Sequence, residues 1–203
     1  MALKQVLIDV GTENINKLKS FLDDLELQMA LGKMEAKDAF EEEKKSFTRF
    51  IQKEKEHLKN LEVMAAEHRT DLREKFEKLE ETLAKPFATN KRSFDKDKKE
   101  ALTAIYQVED IMKKAYGDVN YSIQKELDGF KAKLDTYRVQ LALGTYKDEE
   151  ALKTRKVELQ DAIGTIRGLM KSQDEKEGKL ENFVEEVYAS FEHMKKAFSD
   201  LFA

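Results

Sequence analysis

Cysteine is absent from the 203 residues, which removes disulfides, thiol catalysis and thiolate metal sites. Proline occurs once, at Pro86, and glycine eight times, so few positions force a helix to break. No apolar run approaches the roughly 20 residues that a membrane-spanning helix needs. The first residues, Met1-Ala2-Leu3-Lys4-Gln5-Val6-Leu7-Ile8-Asp9, lack a long apolar stretch with a cleavage site, and the expected location is cytoplasmic. Positive charge is not in excess either. The 37 bases stand against 41 acids, and nucleic-acid binders usually show the opposite balance, so no nucleic-acid partner is expected.

What is present points to helices. Hydrophobic residues make up 40% of the chain and charged residues 38%. Long amphipathic helices reconcile these figures, because each buries a narrow stripe and leaves the rest in water. The charges are mixed rather than blocked, as on solvated helix faces.

The chain contains an internal correspondence. Leu22-Asp23-Asp24-Leu25-Glu26-Leu27-Gln28-Met29-Ala30-Leu31-Gly32 matches Leu134-Asp135-Thr136-Tyr137-Arg138-Val139-Gln140-Leu141-Ala142-Leu143-Gly144, which lies 112 positions later. At the same spacing Ile15 meets Leu127, Leu18 meets Phe130, Lys44 meets Lys156 and Ile51 meets Ile163. Leu72, Phe76 and Leu79 likewise meet Val184, Tyr188 and Phe191. Each copy reads as helix, tight turn, helix. Gly32 and Gly144 are expected to end helices in the left-handed conformation. Acidic residues follow each glycine, Glu35 and Asp38 in one copy and Asp148, Glu149 and Glu150 in the other, and suit the positive end of the next helix. Met34 and Tyr146 are placed to staple the start of that helix in each copy.

Four helices are predicted. The first carries Ile15, Leu18, Leu22, Leu25 and Met29. The second runs from Phe47 through Ile51, Leu58, Leu61, Ala65, His68, Leu72, Phe76, Leu79 and Leu83, and Pro86 stops it. Residues 85–92 form a connector, after which Ser93 or Thr89 is expected to cap the third helix. That helix carries Leu102 to Leu141, with steps of four through Ala115, Val119, Ile123 and Leu127 and a bend near Gly117. The fourth carries Leu159, Ile163, Ile166, Met170, Gln173, Glu177, Leu180, Val184, Val187, Phe191, Met194, Phe198 and Leu201, alternating steps of four and three as a heptad seam does. The last three helices are expected to run about 50 residues each, roughly 75 Å.

The expected fold is therefore all-α. It is an elongated antiparallel bundle, 1–203, of two duplicated long hairpins, 1–84 and 93–203. It is four-helical at the Gly32 and Gly144 end and three-helical at the Pro86 end. The Ala-Leu-Gly turn followed by Glu35-Ala36-Lys37-Asp38-Ala39-Phe40 resembles a helical-hairpin module of bacterial proteins. That resemblance covers the turn region alone and implies no activity.

Chemistry is hard to find. Glu54-Xaa-Xaa-His57 has the spacing used in carboxylate di-iron bundles, but such a site needs a second copy, and the residue matching His57 is Leu169. His68 falls on a seam, and His193 has no partner motif. Lys91-Arg92-Ser93-Phe94-Asp95-Lys96-Asp97-Lys98-Lys99 is a basic elbow able to meet phosphate or anionic lipid, or a solvated connector diluted by its two aspartates. Tyr116 and Tyr121 lie off the main seam, where they mark a partner surface or widen the stripe. Asn120-Tyr121-Ser122 matches a glycosylation sequon and reads as chance inside a helix. No catalytic, cofactor or metal site is expected, and no small-molecule substrate. The expected function is a non-catalytic helical scaffold that binds a protein partner or itself. Reversible lipid binding in the manner of exchangeable apolipoproteins is the alternative, and membrane contact is the lesser expectation.

Overall fold

The computed structural model describes residues 2–59, 66–116, 121–171 and 180–202, with side chains described at 13–58, 67–114, 121–171 and 182–202. Every regular element among them is a helix. In chain order these are α1 (Ala2–Ala30), α2 (Lys33–Lys59), α3 (Ala66–Ala84), α4 (Lys91–Tyr116), α5 (Tyr121–Leu143), α6 (Glu149–Lys171), α7 (Leu180–Ala197) and the short α8 (Ser199–Phe202). No described helix is long and apolar enough to cross a membrane.

The three breaks read from sequence are real, but their chemistry differs from expectation. Neither Gly32 nor Gly144 takes a left-handed backbone conformation. Gly32 instead caps the start of α2. Its N–H donates to Glu35 Oε2 at 2.9 Å, and its carbonyl accepts the first helical bond from Ala36. This is the Glu-to-cap half of a capping box. Gly144 closes α5 through its N–H to the Gln140 carbonyl at 3.0 Å, and Asp148 then caps α6 by accepting from Glu150 N at 3.0 Å. At the Pro86 break the cap of α4 is Asn90, not Ser93 or Thr89. Asn90 Oδ1 accepts from Ser93 N at 3.0 Å. Met34 staples nothing, since it is 79% exposed.

The 50-residue helices are corrected. α2 and α3 lie antiparallel, so the chain reverses between them. Lys44 in the first half of α2 donates to the carbonyl of Lys85 after α3, whereas Lys55 late in α2 pairs with Glu80 at 2.7 Å. α4 and α5 reverse in the same way. Asp95 meets Arg138 at 3.0 Å, Lys98 meets Asp135 at 2.6 Å, and Glu109 accepts from Gln124 at 2.6 Å. The start of α6 lies at the end of α7, with Arg155 reaching the Ala197 carbonyl. The reason is physical. An apolar stripe with steps of three and four serves a straight helix and a folded-back pair equally well. The proposed seam residues Leu61, Ala65, Val119, Gln173 and Glu177, and the Gly117 bend, lie outside the described residues. So does the sequon residue Asn120.

The described contacts group into two compact units, Gly32–Arg138 and Met1–Leu31 with Val139–Ala203. The stretch read as the first hairpin, 1–84, is divided between them.

The Gly32–Arg138 unit packs α2, α3, α4 and most of α5. Its core includes Ile51, Leu72, Phe76, Leu79, Ile105, Val108, Leu127 and Leu134, all fully buried. One end is a cluster of rings. Phe40 stacks on Tyr137 at 4.3 Å and meets Phe94 edge-on at 5.7 Å, and Phe47 stacks on Phe130 at 4.2 Å. Such pairs add about 0.5–1.5 kcal/mol each beyond their burial. Lys44 is also buried here, which costs energy unless the charge is paired. It pairs with Glu41 at 2.8 Å and sits over the Phe87 ring at 5.0 Å.

The other unit packs α1 against α6 and α7. Leu18, Leu22, Leu25 and Met29 of α1 are buried with Leu159, Ile163, Ile166, Val187, Met194 and Leu201, as the sequence spacing predicts. The residues Val139–Leu143 of α5 are all buried too. Tyr146, Arg155 and Asp200 tie α8 to α6. The Tyr146 hydroxyl donates to Asp200 at 2.8 Å, Arg155 pairs with the same carboxylate, and the guanidinium lies over Phe198 at 4.3 Å. Burial pushes the Asp200 carboxyl up, but the hydrogen bonds from Tyr146 and Arg155 outweigh it and leave the group below its ordinary range.

Candidate interaction surface

The residues that the sequence offers for chemistry are not brought together. His57 is exposed and lies 3.7 Å from Glu54 one turn away, on a solvated face. His193 is exposed on α7, and His68 is half-buried on α3. No group of three metal-ligating side chains forms among the described residues.

The basic elbow is used by structure in part, while Arg92, Lys96 and Lys99 are exposed. Phe94 is fully buried in the ring cluster. Asp95 pairs with the buried Arg138, Asp97 accepts from Ala88 N at 2.7 Å, and Lys98 pairs with Asp135. The aspartates do not merely dilute the charge; they fix the connector. Tyr121 is 60% exposed, and the side chain of Tyr116 lies outside the described set.

Many other polar groups hold helices together. Hydrogen bonds from Lys55 and Gln52 keep the Glu80 carboxyl below its ordinary range. Burial pulls the Lys131 ammonium down, yet its bonds to Asp128 and Glu109 outweigh this and raise it. Lys156 donates to the Met29 carbonyl at 2.6 Å and Gln140 to the Leu31 carbonyl at 2.9 Å, satisfying the end of α1.

A groove lies between α2 and α5. α2 and α5 run antiparallel, shown by Phe40 against Tyr137, Glu43 against Lys133 at 3.4 Å, and Phe47 against Phe130. The groove has a volume of about 130 Å³ and is lined by Glu43, Ser46, Phe47, Glu126, Gly129, Phe130 and Lys133. The stacked Phe47 and Phe130 rings form its buried floor. Glu43, Ser46 and Glu126 are exposed on its rim, and Lys133 is half-buried.

Gly129 keeps this groove open. A glycine inside a helix costs about 1 kcal/mol relative to alanine. Three structural reasons can justify it: a left-handed backbone, close approach of another chain segment, or a turn. Gly129 has none of them. It lies within α5, its backbone is not left-handed, and an added Cβ meets nothing within 4 Å.

None of these groove residues except Phe47 and Phe130 stood out in the sequence. The available signal was a glycine in the middle of a helical pattern, one that Gly164 and Gly168 of α6 share, each with open space beside it.

No family model, curated protein or solved structure matches this chain.

Proposed function

We propose that this chain is a non-catalytic helical scaffold that binds a protein partner through a helical surface, and that it works in the cytoplasm. The observation that carries this reading is the α2/α5 groove, kept open by a glycine without a packing role. Its size argues for a contact rather than a substrate site. Pockets for small molecules are usually 300–1,000 Å³, and this one is about 130 Å³.

The 112-residue correspondence supports a duplicated design, now of a run of three helices. α1, α2 and α3 correspond to α5, α6 and α7. The corresponding lysines Lys44 and Lys156 each donate to a carbonyl near a helix end, although the acceptors, Lys85 and Met29, are not equivalent in the repeat. In this reading the first helix of each copy packs with the hairpin of the other. α5 meets α2, and α1 meets α6 and α7. A duplicated, exchanged scaffold is a way of holding helical faces in place, which suits a binding role.

The test is affinity purification of the tagged full chain from its native cell, combined with light scattering of the pure protein. A specific partner or a defined self-assembly is expected. An inert monomer that recovers nothing above background removes the proposal, and capture by liposomes in flotation favours lipid binding instead.

A further inference from the structure

Resting on the binding role above, we infer that the α2/α5 groove receives one cationic side chain, an arginine or lysine presented by the partner protein. The inference follows from the charge left over in the groove, from its floor and from its size.

Glu43 is matched by Lys133 at 3.4 Å. Glu126, on the opposite rim, makes no ion pair among the described residues. The groove therefore carries one carboxylate in excess. An alkyl cation complements it, with its head at Glu126 and its methylene stem against the edges of Phe47 and Phe130. Ser46 adds a hydroxyl to the rim. A volume of about 130 Å³ is well below that of pockets for whole small molecules, about 300–1,000 Å³, and suits the end of one side chain. An anion would meet the excess carboxylate, and a purely apolar group would leave it unpaired.

The groove also stands outside the repeat. At the 112-residue spacing, Glu43 corresponds to Arg155, Glu126 to Asn14, Gly129 to Lys17 and Lys133 to Phe21. Most residues shared between the copies are core and turn residues. Those that make the groove differ at every polar position, so packing common to both copies does not account for them.

The experiment uses the full chain, labelled with ¹⁵N, titrated with n-butylguanidinium and, separately, with its neutral analogue n-butylurea. Saturable shifts at Gly129 and its neighbours are expected with butylguanidinium alone, with a Kd of about 1–10 mM for so small a fragment. Glu126→Gln is expected to weaken binding about tenfold, the scale of one charge-assisted contact. Gly129→Leu fills the groove and abolishes binding. It does not threaten the fold, because a side chain there has open space and leucine is a better helix former. A melting temperature at or above wild type verifies this.

Equal shifts from butylurea, no saturable shift, or shifts that survive Gly129→Leu overturn the inference. A partner recovered equally well by wild type and Gly129→Leu also overturns it, while leaving the binding role intact.

Discussion

Tyr137 shows how one side chain reports on its surroundings. Its ring is buried between Phe40 and Phe94. Burial, with a smaller contribution from the Glu41 charge, pushes its phenol from 10.0 up to about 12. The folded state thus holds this proton more tightly than the unfolded chain. The associated stability is fully present below pH 10 and is lost as pH rises towards 12. Tyr137→Phe keeps the ring and removes the titrating group. It is expected to flatten the fall in stability between pH 10 and 12, measured as denaturant midpoints across that window. A smaller slope should remain, since burial also raises Tyr188 and the Asp200 hydrogen bond raises Tyr146. An unchanged slope contradicts the assignment. Glu35 and Asp148 belong to this scale too. Acidic residues after each glycine were legible in the sequence, but only the structure shows one reaching back to a cap and the other being the cap.

At the scale of elements, the central finding is that the chain turns back between α2 and α3, between α4 and α5, and between α6 and α7. The absence of native cysteine makes this easy to test. Gln52 and Glu80 are 28 residues apart and bond across α2 and α3 at 2.6 Å. In one continuous helix they would be about 42 Å apart. The pair Gln52→Cys and Glu80→Cys is therefore expected to be joined within one chain by a short bismaleimide that spans facing helices, seen by mass spectrometry of the monomer. Failure to cross-link, or cross-linking only between molecules, would restore the long helix. The same logic explains why the helical stripes were readable and the reversals were not.

For the whole molecule, the two compact units set how damage spreads. Phe40 anchors the ring cluster of the Gly32–Arg138 unit. Phe40→Ala leaves a cavity among well-packed rings and is expected to cost about 3–5 kcal/mol. Hydrogen exchange read by mass spectrometry should show protection falling across α2–α5, with a clearly smaller change in α6 and α7. A uniform loss would mean that the chain unfolds as one cooperative block.

The sequence by itself determined the helical class, the breaks at Gly32, Pro86 and Gly144, and most of the buried stripe. Those follow from local chemistry: apolar spacing, a proline without a donor, and acids placed after a turn. Leu18, Leu22, Leu25 and Met29 are buried where their spacing put them. Tertiary structure decided the reversals, the division into units and the groove. A repeat of three and four specifies which face of a helix is apolar, not which helix covers it. Glu43 and Gly129 are joined by no sequence pattern. They share a groove because α2 and α5 pack side by side, and only the folded chain places a missing side chain on one helix opposite charged side chains on another.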